Sequence, residues 1–189
     1  MKLYIPLLAT TVAFVAACND PTPSAATTET TSAAQQIGGG TTVTLSKEDR
    51  QFMTDAALGG MYEVMLGQEV QRKATSPDVR EFAATMVRDH GRANDELRQL
   101  AARKGFEIPR QLDEEHRQDI ADIMNLSGPE LDKEYIGKMV DDHEMDVQKF
   151  RDASQEAKDP DIRGWAGRTL RTLEGHLAMA KQLKERLGE

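Results

Sequence analysis

SPDVREFA at residues 76–83 and DPDIRGWA at residues 159–166 are near copies of each other, and together they decide the fold. Each copy begins with a residue that caps helices, followed by a proline, which is the pattern that opens an α-helix. A helical pattern also runs up to each cap, so each copy marks the tight turn of an antiparallel helical hairpin. Because the pattern returns 83 residues later, we interpret the chain as two hairpins related by an internal repeat.

Capping signals divide the second part of the chain into long helices. Ser46, Ser76, Ser127 and Asp159 each stand where an N-cap is expected, and Gly105 has the position of a C-cap. Apolar residues recur with a helical period between these signals, so each helix has one face to bury. The predicted helices are 46–75, 77–104, 129–158 and 160–187.

The segments between the helices determine how they connect. The first and third connections are almost absent, whereas residues 105–128 form a long segment that we expect to carry a short helix of its own. Short connections require antiparallel neighbours, and a long one can run the length of a bundle. The sequence therefore predicts an all-α fold, a ferritin-like four-helix bundle of two antiparallel hairpins joined by a long crossover, over residues 45–189.

The N-terminal residues have the layout of an export signal. MKLYIPLLATTVAFVAAC combines one lysine, an apolar run and small residues before a cysteine, and the run is short for a membrane-spanning helix. VAAC at residues 15–18 resembles a bacterial lipobox, and Cys18 is the only cysteine of the chain. We therefore expect residues 1–17 to be a lipoprotein signal peptide and Cys18 to carry the lipid that anchors the protein to a membrane. Asn19 after the cysteine favours the outer membrane, on the periplasmic side.

Composition limits the partners of the mature protein. Residues 18–44 contain almost no large apolar side chains, so we expect the lipidated cysteine to be followed by a disordered tether. The formal net charge of the chain is −8, and no basic cluster interrupts it. An acidic surface argues against binding nucleic acid, because that binding depends on cations that neutralise phosphates.

A family resemblance rests on several of these features together. The lipobox, the polar tether, the stretch GGMYEVMLGQEVQRKATSPDVREFAATMVRDH at residues 59–90 and a later helix containing Asp-His resemble the bacterial family known as domain of unknown function 4142. The resemblance covers residues 47–187. It implies a ferritin-like bundle and an exported location, and it brings no established activity.

Three histidines lie on the inward stripes of the predicted helices. MVRDH ends at His90 and MVDDH ends at His143, while His176 lies on the apolar stripe of the last helix. Counted from the hairpin turns, the three histidines and Glu63 of the first helix differ in depth by about one helical turn, or ~5 Å. If both turns lie at the same end of the bundle, four helices each place one polar side chain in a common layer.

The residue types in this layer indicate a metal site other than a di-iron centre. A ferritin-like di-iron centre uses two Glu-x-x-His pairs, but Val87, Val140 and Leu173 stand three residues before the histidines. Methionines instead stand close to the histidines in sequence, so thioether and imidazole groups could together hold copper, iron or zinc, or alternatively haem iron. The candidate ligands are Glu63, His90, His143 and His176, with Met86, Met139 and Met179 as auxiliary ligands.

A purely structural role explains the same residues without a metal. Methionines at helical spacing are often core fillers, and an inward histidine can be satisfied by a carboxylate such as Glu63. Helix glycines near Glu63, at positions 59, 60 and 67, either make room for a ligand or let two helices approach. No motif for nucleophilic catalysis or phosphate binding occurs in the chain. The sequence thus favours an exported lipoprotein with a non-catalytic binding or envelope-support role, with metal or haem binding in the periplasm as the alternative.

Overall fold

The computed structural model describes residues 45–188, and the regular secondary structure of this part of the chain is all helical. The predicted all-α bundle of two hairpins and a crossover is confirmed, and the crossover contains the short helix that was expected. The bounds of the long helices agree with the prediction to within two residues. Among residues 45–188, no helix is both long and apolar enough to cross a bilayer. The five helices of this part are α1 (Lys47–Lys73), α2 (Pro77–Arg103), α3 (Glu114–Asn125), α4 (Gly128–Glu156) and α5 (Pro160–Leu187).

Local capping explains where the helices begin and end. The side chains of Ser46, Ser76 and Asp159 accept hydrogen bonds from backbone N–H groups in the first turns of α1, α2 and α5. Ser127, also predicted as a side-chain cap, makes no such bond. Gly105 has a φ of 63° and its N–H donates to the carbonyl of Ala102, within the double hydrogen bond that closes a helix at a left-handed glycine.

Two aspartates hold the hairpin turns, and they are copies of each other. Asp49, near the start of α1, accepts hydrogen bonds from the backbone N–H groups of Lys158 and Asp159, each at 3.0 Å. Asp132, near the start of α4, does the same for the other turn, at residues 75–76. Asp132 lies 83 residues after Asp49, which is the spacing of the repeat. Each hairpin therefore fixes the turn of the other one.

These contacts place the two turns at opposite ends of the bundle. The start of α1 lies at the turn between α4 and α5, and the start of α4 lies at the turn between α1 and α2. The predicted layer assumed that both hairpin turns lie at the same end of the bundle, and this assumption is therefore wrong. The crossover is long because it must return the chain along the bundle from the end of α2 to the start of α4.

A polar layer separates the core into two apolar clusters. One cluster lies towards the turn between α1 and α2, and the other towards the turn between α4 and α5. Side chains of the first cluster that adjoin the layer include Met86 and Met139, and those of the second include Leu97 and Leu173. The charged or polar side chains buried at this level are Glu63, His90, Asn94, His143 and His176.

Candidate metal centre

Three imidazole rings meet in the middle of the bundle. His90 of α2, His143 of α4 and His176 of α5 keep only 5%, 0% and 2% of their surface exposed. Their ring centroids are 5.2 to 5.5 Å apart, so the rings form a nearly equilateral triangle. Each ring has one nitrogen that lies within 4.8 Å of one nitrogen of each of the other two rings. The predicted meeting of the three histidines is confirmed. It does not depend on the wrong assumption about the turns, because a residue near the middle of a helix has the same depth whichever end is counted from.

The hydrogen bonds of His143 and His176 determine which of their nitrogens can donate a lone pair. Nδ1 of His143 lies 2.9 Å from the carbonyl oxygen of Met139, which accepts its proton. Nε2 of His176 lies 3.2 Å from a carboxylate oxygen of Asp89, which accepts in the same way. In the neutral tautomers that these partners select, the lone pairs are on Nε2 of His143 and Nδ1 of His176. These two atoms are 3.3 Å apart, so two lone pairs face each other.

His90 lies beside Glu63, but no hydrogen bond between them fixes the tautomer of this ring. Nδ1 of His90 lies 2.7 Å from Oε2 of Glu63, although the ring N–H points off the line to that oxygen. Nε2 of His90 is buried and has no hydrogen-bond partner among the described residues. Each imidazole therefore has an acceptor atom beside one nitrogen, and the hydrogen bonds of His143 and His176 leave a lone pair on the other nitrogen of those two rings. An acceptor on the far nitrogen is the arrangement that orients histidines which bind metals.

Glu63 occupies a position between two histidines and a surface cavity. Its Oε1 lies 3.5 Å from Nδ1 of His143, and the residue is 2% exposed. Neither carboxylate oxygen has a hydrogen-bond partner of good geometry within residues 45–188. The structure thus places Glu63 beside Nδ1 of His90 and Nδ1 of His143, and its predicted role as a metal ligand stays a prediction.

Burial determines the charge of the layer. Loss of solvation lowers the pKa of His90, His143 and His176 to about 4 each, and nearby carboxylates only partly oppose this shift. Burial raises the pKa of Glu63 to about 7 and that of Asp146 to about 6. At neutral pH the three imidazoles are therefore uncharged, which is the form that binds metal ions.

The three predicted methionines have different positions. Met86 and Met139 are fully buried beside the layer, and Met139 contributes the carbonyl that holds His143. Met179 remains 39% exposed, so its predicted place next to His176 inside the layer is wrong. Met86 and Met139 precede their histidines by four residues and Met179 follows its histidine by three, and both spacings place the methionine on the same side of the helix as the histidine, so sequence spacing does not distinguish the exposed methionine from the buried ones.

The carboxylates near the histidines do not fit a di-iron centre. Glu63 and Asp89 contact the rings on the nitrogens that face away from the triad. Asp142 pairs with Lys138 at 3.0 Å, and Glu174 pairs with Arg151 on the surface. The several carboxylate ligands that two iron ions require are therefore missing from the described site.

Two residues of the site were not predicted from the sequence. Asp146 lies close to Glu63 and is its counterpart in the repeat, 83 residues later, so the internal repeat could have indicated it. Asn94 is 8% exposed and packs so tightly on Gly60 that a Cβ at position 60 would lie 2.2 Å from its side-chain oxygen. Gly60 therefore allows two helices to approach and makes no room for a ligand.

Comparison with known proteins supports the fold. The bundle is similar to a crystal structure of a DUF305 fragment from Deinococcus radiodurans, with a TM-score of 0.66, 14% identity, and coverage of 75% of this chain and 98% of that one. A DUF305 protein from Streptomyces coelicolor gives a TM-score of 0.64, 12% identity, and coverage of 75% and 94%. No curated protein sequence matches the chain. A family model matches residues 23–183, and the chain therefore belongs to the family described as Domain of unknown function (DUF4142).

Proposed function

We propose that this protein binds a first-row transition metal ion, such as Zn²⁺ or Cu²⁺, through His90, His143 and His176. The observation that carries the proposal is the 3.3 Å separation of Nε2 of His143 and Nδ1 of His176, the two nitrogens that keep their lone pairs when the rings donate to the Met139 carbonyl and to Asp89. Two lone pairs at this distance repel each other unless a proton or a cation lies between them. Imidazole is a good ligand for copper, zinc and iron, and the uncharged form is ready to bind.

The dimensions of the triad support a tetrahedral ion. Two metal–nitrogen bonds of ~2.0–2.1 Å at a tetrahedral angle end about 3.3–3.4 Å apart. The separation of the two facing nitrogens agrees with this value. The ligand atoms of the whole triad lie within 4.8 Å, so His90 needs to move by only about 1–1.5 Å for all three separations to fit.

The acceptors behind the rings support the same proposal. A carbonyl, a carboxylate of Asp89 and a carboxylate of Glu63 lie beside the far nitrogens of the three rings. Such acceptors fix the tautomer and the ring angle of metal-binding histidines. The same contacts would also serve a layer that only fixes the register of the helices, so the experiment must separate these two roles.

The test is equilibrium binding of Zn²⁺, Cu²⁺ and Co²⁺ to the purified full chain, with elemental analysis of the dialysed protein. We expect about one ion per chain and, for Co²⁺, the intense visible bands of a tetrahedral ion. His143→Gln and His176→Gln should each lower the affinity by at least about tenfold, since even residues that only support a ligand contribute about 10- to 100-fold. Circular dichroism of each variant checks that the helices remain.

His116→Gln is the matched control, because His116 lies on α3 and its side chain is 31% exposed. It pairs with Asp113 outside the triad, and we expect its replacement to leave the affinity unchanged. If the wild-type protein retains none of the three ions, or if His116→Gln weakens binding as much as His143→Gln, the proposal is wrong. In the first case, the histidine layer is a structural device for helix register.

We further infer that Cys18 anchors this bundle to the membrane in the periplasm, in keeping with the lipobox of the sequence. Cys18 lies outside the described residues, so the inference rests on the sequence alone. Expression with a labelled fatty acid should label the wild-type protein and leave Cys18→Ser unlabelled and in the soluble fraction. Equal labelling of both proteins would refute the anchor without affecting the metal site.

A further inference from the structure

A surface cavity leads from solvent to Glu63, the carboxylate at the edge of the histidine layer. It lies between α1, α3 and α4 and has a volume of about 330 Å³. Met145, which is 54% exposed, belongs to its wall, and so does Glu63, which is 2% exposed. The cavity therefore extends from the surface to the carboxylate that touches His90 and His143.

The lining of this cavity is strongly acidic. Six carboxylates face two lysines, Lys138 and Lys149, along its wall. Lys138 pairs with Asp142 at 3.0 Å and Lys149 approaches Asp146 at 3.6 Å, which leaves most of the negative charge unopposed. A cleft lined by one sign of charge concentrates ions of the opposite sign. The carboxylates are Asp55, Glu63, Glu115, Asp119, Asp142 and Asp146.

A second observation at the inner end of the cavity points to a cation. Both oxygens of Glu63 lack a hydrogen-bond partner within residues 45–188, and so does the buried Oδ2 of Asp142. Burying a carboxylate oxygen without a hydrogen-bond partner costs folding free energy, and a cation that binds there transiently would explain why such oxygens are present. Glu63 is the member of the cavity wall that also contacts the histidines.

A second cavity has a triad histidine in its wall and a different charge. It lies between α2 and α5, has a volume of about 350 Å³, and includes His90 and Asp89 in its wall. Arg92 and Arg168 balance its two carboxylates, and Arg92 is held 2.8 Å from Asp89. A cation therefore gains no electrostatic advantage by approaching from this side.

We propose that the acidic cavity between α1, α3 and α4 is the route by which a hydrated divalent cation reaches the histidine triad, with Asp146 and Glu63 as its successive carboxylate partners. The proposal rests on the metal binding proposed above. Asp146 receives the cation in the cavity, and Glu63 transfers it inward because its carboxylate borders both the cavity and the rings.

The test is the rate of Co²⁺ binding and release by the full chain, followed by stopped-flow absorbance. Gly59 lines the cavity, and a Cβ at this position would meet only Asp146, at 3.9 Å, so position 59 accepts a Cβ and Gly59→Leu adds an apolar side chain to the wall of the route. We expect this variant to lower the on-rate and the off-rate by the same factor, leaving the Kd unchanged. A side chain that obstructs the route raises the free-energy barrier for entry and exit of Co²⁺, but it does not change the free energy of the bound state.

Asp146→Asn tests the charge of the route. Acidic clefts raise the on-rates of cations by about 10- to 1000-fold, so the loss of one carboxylate should slow binding several-fold and weaken its dependence on salt. Ala93→Leu and Glu96→Gln are the matched controls, because both positions line the cavity between α2 and α5. We expect each of them to leave the Co²⁺ on-rate unchanged.

The outcomes separate the route from the site. If the wild type binds Co²⁺ and Gly59→Leu binds and releases it at the wild-type rates, the route is wrong and the metal site stands. Slowing by Ala93→Leu that equals or exceeds that by Gly59→Leu also overturns the route. Absence of Co²⁺ binding by the wild type overturns both proposals. Circular dichroism of each variant shows whether a slow rate comes from a damaged fold.

Discussion

Acidification of the metal-free protein should destabilise it, because the three buried histidines resist protonation. Burial lowers the pKa of each ring to about 4 in the folded protein, whereas an unperturbed histidine has a pKa of about 6.5. Between these values the unfolded chain binds one more proton per histidine than the folded chain does. The histidines therefore remove stability as the pH falls from about 6.5 towards 4.

Two buried carboxylates act in the opposite direction. The pKa of Glu63 is raised to about 7 and that of Asp146 to about 6, so the folded chain binds their protons more readily than the unfolded chain. Their contribution to stability is present at low pH and is lost as the pH rises through those values. Between about pH 4.5 and 6, the three histidines are protonated in the unfolded chain and not in the folded chain, whereas Glu63 and Asp146 are protonated in the folded chain and largely not in the unfolded chain.

Burial also raises the pKa of Asp142, so the net difference is at most about one proton and the slope is about 1 kcal/mol per pH unit. The free energy of unfolding should therefore fall by about 1–2 kcal/mol between pH 6 and pH 4.5. Glu63→Gln removes one opposing group and should roughly double the slope. His143→Gln removes one of the three histidines and should make the slope nearly flat.

The assay is urea unfolding at fixed ionic strength, in the presence of a chelator, at several pH values between 4.5 and 6. Gly91→Ala is the control, because it changes no titratable group and its new Cβ meets no atom within 4 Å. A wild type that becomes more stable on acidification through this range would refute the predicted cost of protonating the buried histidines. Wild-type slopes for Glu63→Gln and His143→Gln would refute it as well.

Three further substitutions test the packing of the bundle by urea unfolding. Gly60→Ala should destabilise, because overpacking against Asn94 costs about 1–3 kcal/mol and exceeds the ~1 kcal/mol that alanine gains over glycine in a helix. Gly91→Ala has no atom within 4 Å of the new Cβ and should stabilise by about 1 kcal/mol, so equal effects of the two glycine variants would contradict this account. Asp132→Ala should cost at least about 1.5–3 kcal/mol, the contribution of one hydrogen bond to a charged group, and a neutral effect would show that the turn does not depend on it.

Signals that act over a few residues allowed most of the fold to be predicted. Serine or aspartate caps, the prolines after them and the glycine at position 105 determine where helices begin and end, and the structure follows them closely. The relative direction of the hairpins was predicted wrongly, because it depends on which ends of the helices meet. That choice is made by contacts between residues far apart in sequence, such as Asp49 with Asp159.

The sequence allowed the residues of the candidate site to be predicted, but not the role of each residue. Helical period and depth bring His90, His143 and His176 together, and both quantities can be read from spacing. The role of Glu63 depends on which ring nitrogen it approaches, and this follows from side-chain rotation that spacing does not determine. The same limit applies to Asp89, which stands beside His90 in sequence but holds His176 of another helix.

The internal repeat shows that the histidine layer is not a by-product of duplication. Structural residues are matched across the shift of 83 residues, as with Asp49 and Asp132, which hold equivalent turns. Aromatic pairs are matched as well, because the contact between Phe52 and Trp165 corresponds to that between Tyr135 and Phe82.

The histidines have no such counterparts. Glycine, leucine and alanine stand at the positions that correspond to His143, His90 and His176, namely residues 60, 173 and 93. A layer needed only to fix helix register could have used the same side chains in both halves, since both halves pack in the same way. Three imidazoles from unrelated positions of the repeat instead converge on one point, each with an acceptor beside its far nitrogen, and this asymmetry favours a ligand at the centre of the bundle.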